Sequence, residues 1–221
     1  MSLKELRQKR ARLQGYVWFV LPLVVVGGWF YPLLGFFLLF CMAGALLVAI
    51  YNGRAWCDWM CPRGSFYDLF LSRLSPKKAV PAVLRRRGVR VAVLSLLIGT
   101  LGGQLYLAWP EPEGMGLAMV RLLTMTTAVG LLAGVVVHHR LWCHICPVGT
   151  IGSWLSRGRR LHIRGECTNC GVCSKLCPMQ LRPYRFSPGV MTDGDCIKCS
   201  MCVSACPRKA LGFGDGFKEA A

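Results

Sequence analysis

The longest uncharged stretch of the chain, residues 15–51, limits the possible folds most strongly. It contains no Asp, Glu, Lys or Arg. A membrane helix needs about 20 apolar residues, so this stretch is too long for one crossing, and Tyr31-Pro32 offers a break near its middle. We therefore predict two helices, at 15–31 and 33–51, joined by a tight turn. The first of them is much longer than the apolar part of a cleaved signal peptide, so we expect it to be retained.

Two further apolar stretches follow at 91–109 and 116–138, separated by the short acidic segment 110–113. The whole chain is 54% hydrophobic, with a mean hydropathy of +0.44. Both values are too high for an ordinary soluble domain of this size. The sequence therefore predicts a mainly α membrane protein with four transmembrane helices arranged as two hairpins.

The distribution of basic residues predicts the orientation of these helices. The formal net charge is +17, and 26 of the 27 Lys and Arg residues lie in 1–14, 52–90 and 139–221. With four crossings these three segments share one side, and the positive-inside rule makes that side cytoplasmic. Because the basic residues flank apolar stretches and no nucleic-acid-binding motif accompanies them, we expect no binding to nucleic acid.

The two hairpins form an internal repeat, over residues 15–75 and 91–160. Each half ends in a related motif, RAWCDWMCPRG at 54–64 and RLWCHICPVG at 140–149. A repeat of this kind places the two motifs opposite each other across an axis along the membrane normal. For the thiols we favour a further iron–sulfur centre between the repeats. A pair of redox-active or transiently metal-binding dithiols and a purely structural role remain open. The four cysteines are Cys57, Cys61, Cys143 and Cys146.

The C-terminal part of the chain carries the most specific motifs. CTNCGVCSKLCP at 167–178 and CIKCSMCVSACP at 196–207 have the cysteine spacing of bacterial two-cluster ferredoxins, in which the fourth cysteine of each motif binds the other cluster. A zinc site would instead use four ligands from two separate pairs. The predicted ligand sets are Cys167, Cys170, Cys173 and Cys206 for a first [4Fe-4S] cluster (cluster 1), and Cys196, Cys199, Cys202 and Cys177 for a second (cluster 2).

These elements divide the chain into three predicted parts. Residues 1–14 form a basic cytoplasmic tail, and residues 15–160 form the four-helix membrane domain. Residues 161–215 form a small α+β ferredoxin-like domain with two clusters. Under the predicted orientation, both chain termini and the ferredoxin-like domain lie in the cytoplasm, where thiols stay reduced.

Two hairpins with cysteine motifs, followed by two ferredoxin motifs, resemble the NapH-type membrane ferredoxins, which are proposed quinol dehydrogenases. More broadly the chain is similar to the polyferredoxin group with NosR, MauN and CcoG proteins. The resemblance implies a multi-pass protein of the bacterial cytoplasmic membrane that passes electrons from the quinol pool to a redox partner protein. One departure is visible: the gap between Cys143 and Cys146 is one residue shorter than that between Cys57 and Cys61.

A quinol-oxidising site needs a proton acceptor close to an apolar slot. His138, His139 and His144 are candidates, because imidazole titrates near neutral pH. Arg121 is the one charged residue within a predicted span, and such a charge is a functional-site candidate. The alternatives are helix capping for the histidines and extension of the arginine side chain to the membrane surface.

We therefore expect a membrane-bound oxidoreductase subunit that carries electrons between the quinone pool and a protein partner. A second hypothesis is a CcoG-like reductant that serves metal-centre assembly. A third is a passive membrane anchor in a larger complex. Cysteine spacing does not give the direction of electron flow, since clusters of one type span a wide range of potentials.

Overall fold

The protein is described here from a computed structural model that covers residues 2–156 and 160–214. It is mainly helical, with a small sheet near the C-terminal end. Three parts of the predicted domains lie outside the described residues: Met1 of the tail, 157–159 near the end of the membrane domain, and residue 215 at the end of the ferredoxin-like domain.

The N-terminal segment folds as a helix. α1 covers Leu3–Val17 and begins at Ser2, whose side chain and that of Glu5 form a capping box. α2 covers Val20–Gly27, and Trp18 and Phe19 between the two helices keep right-handed helical geometry. Residues 1–14 were expected to form a tail, but those described lie mostly within α1, and Leu6 is fully buried.

The chain turns at the predicted break. Pro32 opens a 3₁₀ turn, Pro32–Phe36, and α3 follows at Phe37–Asn52. This turn packs against the start of a later helix, Pro112–Val136, through two glycines. A Cβ on Gly35 would lie 2.2 Å from the carbonyl oxygen of Gly116. Only residues without a side chain allow the two backbones to approach this closely.

α7, Arg87–Ala108, and α8, Pro112–Val136, form the second hairpin. Within the described residues, three helical segments are long and apolar enough to cross a membrane: Pro32–Leu74, which contains α3, and the helices α7 and α8. The predicted first span, 15–31, is divided between the end of α1 and the eight-residue α2. The count of four spans therefore stays a prediction.

The outer faces of these helices are apolar. Five large side chains on α3, α7 and α8 illustrate this, being 64–70% exposed: Phe40, Leu47, Leu96, Met125 and Leu132. A soluble monomer rarely exposes so much contiguous apolar surface. These faces are suited to contact with lipid.

Both hairpins continue into short helices that carry the cysteine motifs. After α3, a 3₁₀ turn (Gly53–Ala55) leads into α4 (Trp56–Trp59), α5 (Pro62–Phe66), a π-helical turn (Tyr67–Leu71) and α6 (Ser72–Leu74). After α8 come α9 (Leu141–Ile145) and α10 (Pro147–Leu155). In each motif the second cysteine precedes the proline that begins the next helix, a favoured position for proline. The extra residue of the first motif is Met60, which lies between α4 and α5 and is 50% exposed.

The C-terminal part contains a three-stranded antiparallel sheet in the order β2, β1, β3. The strands are β1 (Leu161–Ile163), β2 (Gly189–Val190) and β3 (Leu211–Phe213), and His162 pairs with Val190 and with Gly212. Two short helices, α11 (Val172–Lys175) and α12 (Met201–Ser204), follow the first cysteines of their motifs. Two 3₁₀ turns, Ala82–Arg85 and Pro183–Phe186, complete the described elements. Leu6 of α1 joins the apolar core of this part, so α1 packs against the ferredoxin motifs and β3.

Candidate functional site

The ferredoxin motifs surround two small cavities. The lining of the first includes Cys167, Cys170, Cys173 and Cys206. The lining of the second includes Cys177, Cys196, Cys199 and Cys202. Each cavity thus combines three cysteines of one motif with the last cysteine of the other, in the two sets that the spacing predicts. Within residues 2–156 and 160–214, no three metal-ligating side chains converge on the position of a single ion.

The backbone folds around the two cavities in the same way. Left-handed conformations occur at three matched pairs of positions: Asn169 and Lys198, Gly171 and Ser200, and Gln180 and Lys209. Such turns point successive backbone N–H groups to one side and create a surface suited to anions. The N–H groups of Ser174 and Tyr184 donate to the sulfur of Cys173, and those of Met179 and Leu181 to that of Cys177.

The chemistry of these cysteines fits an iron–sulfur cluster. Burial raises the pKa of Cys177 and Cys196 to about 11 and that of Cys199 to about 12. A thiol of this kind binds metal only when the metal displaces its proton, after which the N–H donors stabilise the thiolate. A cluster held here supplies a one-electron carrier, and its potential depends on the hydrogen bonds to sulfur.

The four thiols of the membrane motifs form a second group. Sulfurs of the first motif interact electrostatically with sulfurs of the second, so the repeat brings Cys57, Cys61, Cys143 and Cys146 together. Cys57 and Cys143 also pack against the core of the ferredoxin part. Cys146 packs instead against the apolar cluster around Tyr67 and Trp142. The group therefore lies between the membrane helices and the ferredoxin part.

A larger cavity extends from these thiols between the long helices. Its volume is about 200 Å³, and its walls come from α2, α3, α7 and α8. Cys57, Cys61 and Cys146 line the end near the motifs. The other lining residues are mostly apolar; the polar exceptions are Arg63 and Thr126. This is the form of a site for a flat, apolar ligand with a few polar atoms.

Arg63 is a functional candidate that sequence reasoning missed. Its Nη2 donates to the Oγ1 of Thr126 at 2.9 Å, and its guanidinium lies 5.6 Å from the ring centre of Trp142. The repeat carried a usable signal: the residue after Cys-Pro is Arg63 in the first motif and Val148 in the second, and both line the cavity. A charge at only one of two repeat-related positions indicates that the two residues differ in role.

The four residues proposed from sequence for the quinol site lie elsewhere. Arg121 is exposed on α8. His138 and His139 are buried with their rings 4.4 Å apart, and His144 contacts Asp195. Within the described residues, the lining of the cavity includes none of the four.

One buried ionic network joins both repeats to α1. Nε of Arg140 donates to Asp68 at 2.7 Å, and its Nη2 donates to Asp58 at 3.2 Å. Arg10 of α1 donates to the same two carboxylates, at 2.6 Å to Asp58. Gln14 adds a hydrogen bond of 2.8 Å to Asp68. Asp58 and Arg140 have no exposed surface, so each depends on the other for charge balance.

A second buried network joins the membrane motifs to the ferredoxin part through Asp195. Its carboxylate accepts from Arg54 Nη1 at 2.7 Å and from Arg90 Nη2 at 2.5 Å, and it lies 3.0 Å from Nδ1 of His144. Arg54 also donates to the carbonyl oxygen of Cys143, across the repeat. Burial alone would raise the pKa of Asp195, but the hydrogen bond with His144 and the charge of Arg54 hold it below its usual value.

Comparison with known proteins identifies the family. The family described as "4Fe-4S binding domain" matches residues 34–81 and 120–164, and each segment contains one membrane motif. The "4Fe-4S dicluster domain" family matches residues 166–211. The chain is a ferredoxin-type protein of the group that contains MauN and NapH.

Three relatives illustrate the similarity. The methylamine utilization ferredoxin-type protein MauN of Methylobacillus flagellatus is 30% identical over 67% of this chain and 57% of its own length. MauN of Methylorubrum extorquens is 31% identical over 69% and 57%. The ferredoxin-type protein NapH of Escherichia coli is 30% identical over 60% and 50%. The chain thus spans about half the length of these curated relatives, and no solved structure matches it.

Proposed function

We propose that this ferredoxin-type protein carries electrons between a membrane quinone and a protein partner. The observation that carries the proposal is one continuous arrangement: the apolar cavity between the helices reaches Cys57, Cys61 and Cys146. Cys57 and Cys143 in turn pack against the core that surrounds the ferredoxin motifs. A ligand in the cavity would lie next to the thiols, and the thiols lie next to the predicted clusters.

The proposed quinone site follows from the shape and chemistry of this cavity. The apolar walls suit an isoprenoid quinone, whose ring carries two carbonyl oxygens. Arg63, held by Thr126 and Trp142, is the cation available to donate a hydrogen bond to such an oxygen. The described lining of the cavity includes none of His138, His139 and His144, so the role that we propose for them is structural.

We further propose that the four membrane-motif thiols hold a third iron–sulfur centre. Several buried hydrogen-bond donors around the motifs have no partner among the described residues: Nε of Arg54, Nη1 of Arg140, Nε1 of Trp142 and the hydroxyls of the repeat-related pair Ser65 and Thr150. An excess of buried donors favours an anionic group. A cluster bound by four thiolates is such an anion, and it would connect the cavity to cluster 2.

The membrane orientation proposed from charge places the cysteine motifs and the ferredoxin part in the bacterial cytoplasm. The basic N-terminal segment supports this, since α1 packs on the ferredoxin part and its Arg7 and Arg12 are exposed. Both predicted ferredoxin clusters would then lie on the reducing side of the membrane.

The proposed quinone site is tested by reducing the purified protein with a short-chain quinol and recording cluster reduction by EPR. Arg63→Val, which installs the residue of the second motif, should slow reduction by quinol at least tenfold and leave reduction by dithionite unchanged. Arg121→Val is the matched control and should react normally. Equal rates for wild type and Arg63→Val, or no reduction of wild type by any quinol, would reject the quinone site.

The third centre is tested by iron and sulfide analysis. Two cubane clusters account for about eight irons per chain, and a third cubane brings the total to about twelve. Cys57→Ser should lose about four irons and keep the EPR signals of the ferredoxin pair. Cys41→Ser, which alters a cavity thiol outside the motifs, is the control and should lose none. A wild-type content of about eight irons would refute the third centre.

A further inference from the structure

The two ferredoxin motifs differ in the carboxylate that precedes the first cysteine. Asp195, before Cys196, is 1% exposed and binds three side chains of the membrane part. Glu166, before Cys167, is exposed. Two motifs with the same spacing thus have opposite surroundings at the same position.

The cavity assigned to cluster 2 lies on the membrane side of the ferredoxin part. α12, which carries Cys202, contacts α1, and Cys199 interacts electrostatically with Asp58 and Arg10. Lys198 Nζ lies 3.4 Å from the hydroxyl of Ser156 at the end of α10. These contacts place α1 and the end of α10 next to cluster 2, and the cysteines that line its cavity are buried or half-buried.

The cavity assigned to cluster 1 opens to the solvent instead. Its lining includes exposed residues from both motifs: Thr168, Cys170, Pro207 and Arg208. Asn169, between two of these, is exposed as well. Since electron transfer rates fall steeply with distance, the exposed edge of cluster 1 is the place where a protein partner can approach most closely.

Exposed cations adjoin the lining of this opening along the chain. Arg208 lines the cavity, and four other exposed cations lie close to lining residues in the chain: Lys175, Arg182, Arg185 and Lys209. Glu166 is the exposed carboxylate next to the first motif. We call these five cations the cluster 1 patch. A patch of one sign attracts a partner of the opposite sign and orients it.

We propose that an acidic one-electron carrier protein docks on the cluster 1 patch, while cluster 2 faces the membrane motifs. This rests on the proposed function, because it takes the two ligand sets as cluster sites. The exchange moves one electron: one of the two proteins is oxidised and the other reduced, and no bond forms or breaks. The patch therefore gives the ferredoxin part a polarity, with a membrane end and a partner end.

The proposal is tested with flavodoxin, an acidic flavin protein that carries single electrons, and with the full chain in nanodiscs. Binding is measured as Kd at several salt concentrations. The variant Lys175→Glu/Arg185→Glu should weaken binding at least tenfold, and the wild-type Kd should rise steeply with salt. The control Arg7→Glu/Arg12→Glu makes the same change of net charge on the exposed face of α1 and should alter the Kd less than twofold.

Zero-length carbodiimide cross-linking locates the contact independently of affinity. Cross-links from flavodoxin carboxylates should form at Lys175 and Lys209 and not at Lys4 or Lys9 of α1. Equal loss of binding in both charge-reversal variants, or cross-links at α1 alone, would overturn the proposal. Loss of the Lys175 and Lys209 cross-links on changing from neutral to anionic lipid would also overturn it, since the patch would then face the membrane.

These outcomes are separable from failure of the proposed function. Iron content and EPR signals are recorded for every variant, and both charge-reversal variants should match wild type. A protein without ferredoxin clusters would refute the proposed function, whereas the position of the cross-links would still report where an acidic protein binds.

Discussion

Arg54 and Arg140 occupy the same position in the two membrane motifs, and each is almost fully buried. Their carboxylate partners differ. Arg140 pairs with Asp58 and Asp68 of the first repeat, whereas Arg54 pairs with Asp195 of the ferredoxin part. Arg54 thus connects the membrane part to the ferredoxin part, and Arg140 connects the two repeats. The two arginines are equivalent in the repeat, and their different carboxylate partners give them different structural roles.

The largest effect is expected from removing the arginine that holds the repeats together. Arg140→Met leaves the carboxylates of Asp58 and Asp68 with Arg10 and the neutral Gln14, and Asp58 has no contact with solvent. Loss of one member of a buried ionic network costs about 3–5 kcal/mol. We expect the variant to lose most of its thermal stability in detergent, measured by the unfolding of the helices. Arg73→Met, which alters a surface cation, should change little. A stable Arg140→Met protein would show that Arg10 alone balances the two charges.

A smaller, local effect is expected at the other arginine. Asp195→Asn keeps the shape of the side chain but removes the charge that Arg54 and Arg90 share, at a cost of about 2–3 kcal/mol. The ferredoxin part should then separate more readily from the motifs. We expect faster amide hydrogen exchange in residues 195–202 and unchanged exchange in the long helices α3, α7 and α8. Glu166→Gln makes the same chemical change at the exposed equivalent position and should have no effect. Unchanged exchange in Asp195→Asn would mean that apolar packing alone holds the two parts together.

The residues that precede the two motif arginines also differ, and this difference predicts how stability depends on pH. His138 and His139 precede Arg140, whereas Asn52 and Gly53 precede Arg54. Burial, with the nearby cationic groups, lowers the pKa of His138 to about 4; burial lowers that of His139 to about 4 despite the opposing charge of Asp68. Nδ1 of His138 also accepts a hydrogen bond from the N–H of Arg140, which requires an unprotonated nitrogen.

These lowered values predict the direction of an acid effect. Between about pH 6.5 and pH 4, the unfolded chain binds protons at both histidines and the folded chain does not. Stability is therefore complete above about pH 6.5 and falls as the pH drops towards 4. His138→Asn/His139→Asn should flatten this part of the stability profile. An equally steep profile in the variant would assign the acid effect to other groups.

The smallest effect is expected from the residue that makes the two motifs unequal in length. Met60 is half exposed between α4 and α5, so Met60→Ser should change the free energy of unfolding by less than about 0.5 kcal/mol. Iron content should also stay at the wild-type value. A loss of iron in this variant would show that the extra residue helps to position Cys57 and Cys61, and that the unequal spacing is functional.

Local signals in the sequence predicted much of the fold. Pro32 opens the predicted turn because proline fixes the backbone there and starts the 3₁₀ segment. The helices predicted at 91–109 and 116–138 appear as α7 and α8, since long apolar stretches between charges specify helix ends well. The spacing of the ferredoxin cysteines also predicts which of them line each cavity. Their role as ligands stays a prediction.

The long-range ionic contacts could not be predicted from the sequence. Arg10 was assigned to a basic tail, because a cation near a membrane segment is normally an orientation signal. Its partner Asp58 lies 48 residues away, and Arg54 and Asp195 are 141 residues apart. Pairings at such separations depend on how the domains pack, and no local pattern records them. Arg63 is a different case: its charge at a position where the second motif has Val148 was a signal in the sequence, but its place beside Trp142 appears only after the repeats pack.

The contact between Gly35 and Gly116 has a consequence for the cavity between the helices. It fixes the end of the bundle farthest from the cysteine motifs, where backbone touches backbone. The ionic network around Arg140 fixes the opposite end. With both ends fixed, the length of the cavity along the helices is set by the backbone. For the proposed quinone we therefore expect entry sideways between the helices, with access limited by the size of the ring more than by the length of the tail.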